Sequence, residues 1–122
     1  MQPTGFAEAA QRALAGDDMA DAMAERLGIT KRDLASLAGL AAATLQRKDR
    51  ANAPATLARL NEVTDILARV SVWAGGERQA FAWYRAQPLA AFGDRTAENI
   101  VKSGDAAAVR DYLDHLALGG FA

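Results

Sequence analysis

Five basic side chains fall within positions 31–50, at Lys31, Arg32, Arg47, Lys48 and Arg50, with only Asp33 and Asp49 to oppose them. Guanidinium and ammonium groups offer several N–H donors and no acceptor, the chemistry that meets phosphate oxygens and the acceptor edge of guanine. Gln46 can pair with adenine and Arg47 with guanine, each through two hydrogen bonds. Thr44, Lys48 and Arg50 suit phosphate, as do Lys31 and Arg32. The window is locally +3, whereas the rest of the chain carries nine basic and thirteen acidic residues and the whole is −1. One face, not the whole molecule, could therefore be steered towards a polyanion.

Other chemistries are poorly provided for. His115 is the only histidine and there is no cysteine, so no thiolate site or multi-histidine metal site can be assembled. Ser36, Ser71 and Ser103 lack the G-x-S-x-G context of a hydrolase nucleophile. No glycine run has the form of a phosphate-binding loop. Trp73, Trp83 and Tyr84 read as core or interface aromatics. The expectation is a protein that is not an enzyme and holds no cofactor or metal. No apolar run approaches the ~20 residues that cross a bilayer. The first eighteen residues lack the charged start and apolar core of a secretory signal, which makes the cytoplasm the expected compartment.

The elements that must position these residues are all helical. Alanine is abundant, β-branched residues are sparse, and no segment alternates with period two. Helices are expected at 6–14, at 19–27 capped from "GDD" and stopped by Gly28, and at 31–38 capped by Thr30. A short helix at 41–48, "AAATLQRK", then precedes a polar break at 49–54. A long helix at 55–73 starts behind Pro54 and carries the stripe Leu57, Leu60, Val63, Leu67 and Val70. Gly75 and Gly76 end it. Further helices follow at 77–87, at 97–104 capped by Thr96, and at 106–118 capped by Asp105, with Gly119 and Gly120 releasing the chain.

Gly39 gives the basic window its meaning. Glycine inside a helix costs roughly 1 kcal/mol relative to alanine, but at a sharp turn it supplies a positive φ without strain. Leu34, Leu40 and Leu45 would then point into the angle between two helices, with Ala35 at their closest approach. That is the pattern of a helix-turn-helix, whose second helix, 41–48, would enter the major groove. A helical hairpin in an alanine-rich bundle shares the apolar spacing and remains open as the alternative. One such module makes few contacts, so a dimer reading two half-sites is implied.

The last fifty residues carry the landmarks "WAGG", "AFAWYRAQPLAAFG", "TAENIVKSG" and "VRDYLDHLALGGFA". They resemble the C-terminal toxin-binding domain of the Xre/MbcA/ParS antitoxins through Trp83, Pro88, Phe92-Gly93, Gly104, Val109, Leu113 and Gly119. Two positions depart from the family's pattern. Asp94 stands where a second glycine is frequent, and Thr96-Ala97 replaces a Ser/Thr-Pro pair.

The resemblance implies an N-terminal Xre-like helix-turn-helix bundle (1–52), a connecting helix (53–72) and a small helical toxin-binding domain (73–122). It implies an antitoxin of a type II system that covers the active site of a NAD-consuming RES-domain toxin and represses its own operon. The partners would be that toxin and operator DNA, in a homodimer or a hetero-oligomer with the toxin. Val109, Tyr112, Leu113 and Leu116 should face the core, leaving Asp111, Asp114 and His115 outside. Gly119 and Gly120 would let Phe121 and the carboxylate of Ala122 reach into an anion-binding pocket. Phe121 folded back on the core is the alternative for the tail. For the whole chain the alternative is a free-standing repressor whose C-terminal half only dimerises.

On this reading Arg47→Ala should lose guanine discrimination worth about 1–3 kcal/mol, while Lys48→Ala weakens every sequence alike and flattens the salt dependence. Binding isotherms on operator and scrambled duplexes over a salt series check this. Equal losses on both DNAs for both variants would contradict it.

Overall fold

A computed structural model describes residues 18–120. The segment expected as a first helix, 6–14, lies outside the described residues, as do Phe121 and Ala122.

Local chemistry sets the first two helices. The Asp18 carboxylate accepts from the amide of Ala20 at 2.9 Å and opens α1 (Met19–Leu27), satisfying one of the donors that a helix start leaves over. Gly28, at φ 70°, closes it. Thr30 Oγ1 accepts from Asp33 N at 3.1 Å and opens α2 (Lys31–Ala38), which Gly39 ends at φ 72°. The expected boundaries hold at both helices.

The next segment differs from expectation. The expected helix 41–48 is only α3 (Ala42–Gln46). Arg47 is extended (φ −107°, ψ 120°), and the expected polar break contains a further turn, α4 (Lys48–Ala51). Packing explains the interruption. Six residues advance a continuous helix by 600°, so Leu45 and Ala51 would point about 120° apart. Breaking at Arg47 lets both enter the core, at 1% and 0% exposure.

Pro54 takes the first position of α5 (Pro54–Ala74), where its missing N–H is no loss. This helix is about 30 Å long at 1.5 Å per residue and serves as the spine, touching α1, α2 and α4. Leu60, Val63, Leu67 and Val70 of its stripe are fully buried, while Leu57 is half-buried. Gly75 and Gly76 turn the chain back into α6 (Glu77–Ala86), which packs along α5.

A bridge between Leu89 and Arg95 pinches the following loop around a short 3₁₀ turn, Ala90–Phe92. Thr96 Oγ1 accepts from Asn99 N and opens α7 (Ala97–Lys102), two residues shorter than expected. Asp105 begins α8 (Ala106–His115) without a side-chain cap; its backbone carbonyl accepts from Ala108 N instead.

The last helix also departs from 106–118. After His115 the backbone widens into a π-helical turn, Leu116–Gly120, so Gly119 and Gly120 continue the coil rather than releasing it. The wider turn keeps Leu116 against the core and leaves Leu118 in solvent.

The protein is all-α. Among the described residues the isolated Leu89–Arg95 bridge is the one β-type pairing. A single apolar cluster runs from Met23 and Leu34 through Leu60 and Ile66 to Tyr84, Ile100 and Val109. The pair α2–α3 and the C-terminal helices therefore share one core.

Gly39 is required twice. Beyond its positive φ, a Cβ built there would lie 2.9 Å from Lys102 Cα, whereas one at Gly28, with nearly the same φ, meets nothing within 4 Å. Gly28→Ala should therefore cost only the left-handed strain, about 1 kcal/mol. Gly39→Ala should cost about 3 kcal/mol, since a backbone neighbour must also move. Urea denaturation of the two variants checks the difference, and equal losses would contradict the close approach.

Candidate functional site

Two surfaces stand out: the bend between α2 and α3, and an apolar face formed by α5, α6 and α8. At the bend, Leu40 N donates to Ala35 O at 2.8 Å and Gly39 N to Ser36 O at 3.2 Å, the paired closure of a Schellman motif. The next two carbonyls receive side chains from afar. Tyr84 Oη donates to Leu37 O at 2.7 Å, and Arg59 Nη1 donates to Ala38 O at 2.8 Å. Leu34, Ala35 and Leu45 are buried and Leu40 is half-buried, as the turn pattern requires.

The basic window surrounds this bend without forming one helical face. Gln46 ends α3 and is exposed; Arg47 sits in the break, with Nε 3.6 Å from Asp49 Oδ1. Arg47 is therefore not presented from the helix that carries Gln46, contrary to expectation. Lys48 and Arg50 are exposed on α4, and Thr44 is half-buried. At the start of α2 Arg32 is exposed, whereas Lys31 is half-buried and 3.1 Å from Asp21.

The apolar face includes Trp73 and Trp83, expected as core or interface aromatics, and two residues that the sequence did not single out. Val72 is 86% exposed and Leu118 88%, unusual values for residues of that size, and Trp73 is 45% exposed. Trp73 meets Trp83 edge-on with ring centroids 5.9 Å apart, and Phe92 meets Tyr112 at 5.6 Å. Trp73 separates two shallow grooves. One of about 370 Å³ runs between α5 and α8 along Arg69, Leu113 and Ala117; the other, about 510 Å³, is lined by Trp83, Pro88, Tyr112 and Leu116. A signal was present in the sequence, because Val72 falls 200° around the helix from Val70 and so lies off the buried stripe.

Of the C-terminal residues expected to meet a partner, Asp111, Asp114 and His115 are exposed on α8. Asp114 is engaged by Arg69 Nη1, and that guanidinium also holds Asp65 with Nε 3.3 Å from Oδ2. Val109 and Leu113 are buried and Tyr112 and Leu116 half-buried, as expected. Among the described residues no group of His, Asp or Glu is placed to hold a metal ion. No helix there is long and apolar enough to cross a membrane.

Residues 70–119 match the family model of the antitoxin Xre/MbcA/ParS C-terminal toxin-binding domain. The match begins in the last turns of α5 and ends in the π-helical turn, so it contains the whole apolar face. It supports an antitoxin role for the chain. Neither the curated proteins nor the solved structures compared give a match to the chain. Within the matched span, Gly93 and Asp94 both have φ 65°. The left-handed backbone at Asp94 accounts for a preference for glycine there, and aspartate is among the few residues that tolerate it.

Burial raises the Tyr84 phenol well above its ordinary range, with a smaller contribution from the charge of Glu98. Above pH 10 the unfolded chain releases this proton while the folded one keeps it, so the unfolded state binds fewer protons and stability falls as pH rises. Below the ordinary tyrosine range the contribution is fully present. Denaturation at pH 8 and pH 11 should show Tyr84→Phe less sensitive to alkali than the parent; equal alkaline losses would contradict the assignment.

Proposed function

We propose that this chain is the antitoxin of a type II toxin–antitoxin pair in the cytoplasm, acting on a RES-type toxin that consumes NAD. The apolar face supports this reading: large, highly exposed apolar side chains are gathered within the span that matches the toxin-binding family. An exposed apolar patch is a common mark of a protein interface. In this reading the face of Val72, Trp73 and Trp83 seats the toxin, and Leu118, exposed in the π-helical turn, extends the contact. Asp111 and His115 rim the contact, and Gly119, Gly120, Phe121 and Ala122 extend over the toxin's active-site cleft. Asp114 takes part while held by Arg69.

The N-terminal part, residues 1–52, is the DNA-reading element of the proposal, with 53–72 connecting it to 73–122. The bend at Gly39 presents α3 to the major groove. Arg32, Gln46, Arg47, Lys48 and Arg50 are exposed around it, and Thr44 and Lys31 stand at its edge. Operator binding in a homodimer or a complex with the toxin would close an autorepression loop. The bend and the basic window carry this second half of the proposal.

The test is co-expression with the reading frame that adjoins the gene, which the proposal expects to encode the toxin. The intact chain should restore growth and copurify with the toxin. The double variant Val72→Asp/Leu118→Asp should lose both while changing stability by less than about 0.5 kcal/mol per exposed site. Undiminished protection by that variant would overturn the docking face. A change in the chain's own oligomeric state, with protection intact, would favour the free-standing repressor that dimerises through this face.

A further inference from the structure

Every helix ends with four carbonyls that have no partner within the helix. At the end of α2, Leu40 N and Gly39 N take those of Ala35 and Ser36. The same local arrangement closes α1, where Ile29 N donates to Ala24 O at 3.0 Å and Gly28 N to Glu25 O at 3.2 Å. What sets α2 apart is the fate of its last two carbonyls, Leu37 and Ala38. Both are held by side chains distant in sequence, Tyr84 on α6 and Arg59 on α5.

Each donor is itself fixed. Tyr84 is completely buried, and packing on every side holds its ring where the hydroxyl meets Leu37 O. Arg59 Nε donates to Glu62 Oε1 at 3.2 Å, which sets the plane of the guanidinium. Its Nη1 also reaches Val101 O at 3.3 Å, in the last turn of α7. One cation thus serves two helix C-termini, whose partial negative charges favour it. The backbone of Lys102 lies directly against Gly39. The turn is therefore located by α5 together with α6 and α7 of the antitoxin-family domain.

We propose that Tyr84 and Arg59 are positioning residues for the DNA-reading bend: they clamp the last turn of α2 so that α3 leaves Gly39 in one direction. The proposal rests on the DNA-binding reading given above. It assigns α6 two roles on adjacent residues, since Trp83 lines the apolar face while Tyr84 holds the bend. Direction of α3 governs which base edges Gln46 can reach. Phosphate contacts from Lys48 and Arg50 on the separate turn α4 tolerate a small tilt.

The experiment uses the full chain and two readouts. Tyr84→Phe should speed amide exchange in the peptide 40–44 while leaving 97–113 as in the parent. It should also lower the ratio of affinities for a duplex from its own promoter and a scrambled duplex by roughly fivefold, the scale of one hydrogen bond. The slope of affinity against salt should stay unchanged, because phosphate contacts are kept. Arg59→Lys should show the same pattern in milder form than Arg59→Ala, and it decides the matter if Tyr84→Phe fails to fold. Exchange at 40–44 like that of the parent in all variants overturns the proposal. So does acceleration spread evenly over the chain. If the parent itself does not distinguish promoter from scrambled DNA, the DNA reading fails, and the exchange data still decide whether these side chains hold the bend.

Discussion

The carbonyls of Leu37 and Ala38 are the points on which the architecture turns. They terminate a helix inside the protein, where water cannot satisfy them, and a buried carbonyl without a donor costs about 1–3 kcal/mol. Tyr84 and Arg59 meet them. Gly39 makes this possible, because the chain must leave α2 steeply while lying against the backbone of Lys102. The bend, the spine helix and the C-terminal helices are consequently parts of one packed body, with a single apolar cluster running through all three.

Charge and apolar surface are divided on that body. The net positive window lies on α2, α3, α4 and the Arg47 break, all before Pro54. The exposed apolar residues lie at the far end of α5 and in the π-helical turn after α8. Ion pairs fasten the elements between these regions: Arg26 with Glu77 joins α1 to α6, and Arg85 with Glu98 joins α6 to α7. Pairs this exposed add modestly to stability. Their main effect is on register, since each fixes how one short helix lies on the next.

Much of this was legible in the residues. Capping side chains and stop glycines are local signals, and the boundaries of α1 and α2 followed from Asp18, Gly28, Thr30 and Gly39 alone. The stripe on α5 and the landmarks from Trp83 to Gly119 were equally plain, and the latter led to the toxin-binding family. What escaped depended on tertiary packing. Nothing local marks Arg47 as a break; it is set by the need to bury both Leu45 and Ala51. The clamp on α2 joins residues 47 and 21 positions apart in sequence, which no periodicity reveals. Trp73 and Trp83 read as core or interface aromatics from sequence, but the exposure of Val72 follows only from how α5 packs, because its buried stripe leaves that position outside. Likewise the π-helical turn after His115 depends on how Leu116 seats against the core.

One shared core requires the bend and the helices of residues 70–119 to fold as one unit. Both tryptophans, Trp73 and Trp83, lie in the C-terminal part, so their fluorescence reports on that part, whereas far-ultraviolet circular dichroism reports on every helix. Equilibrium urea unfolding followed by both signals should give superimposed transitions with one midpoint and one slope. A dichroism transition in two steps, one of them silent in fluorescence, would show the N-terminal helices melting by themselves and would contradict the account.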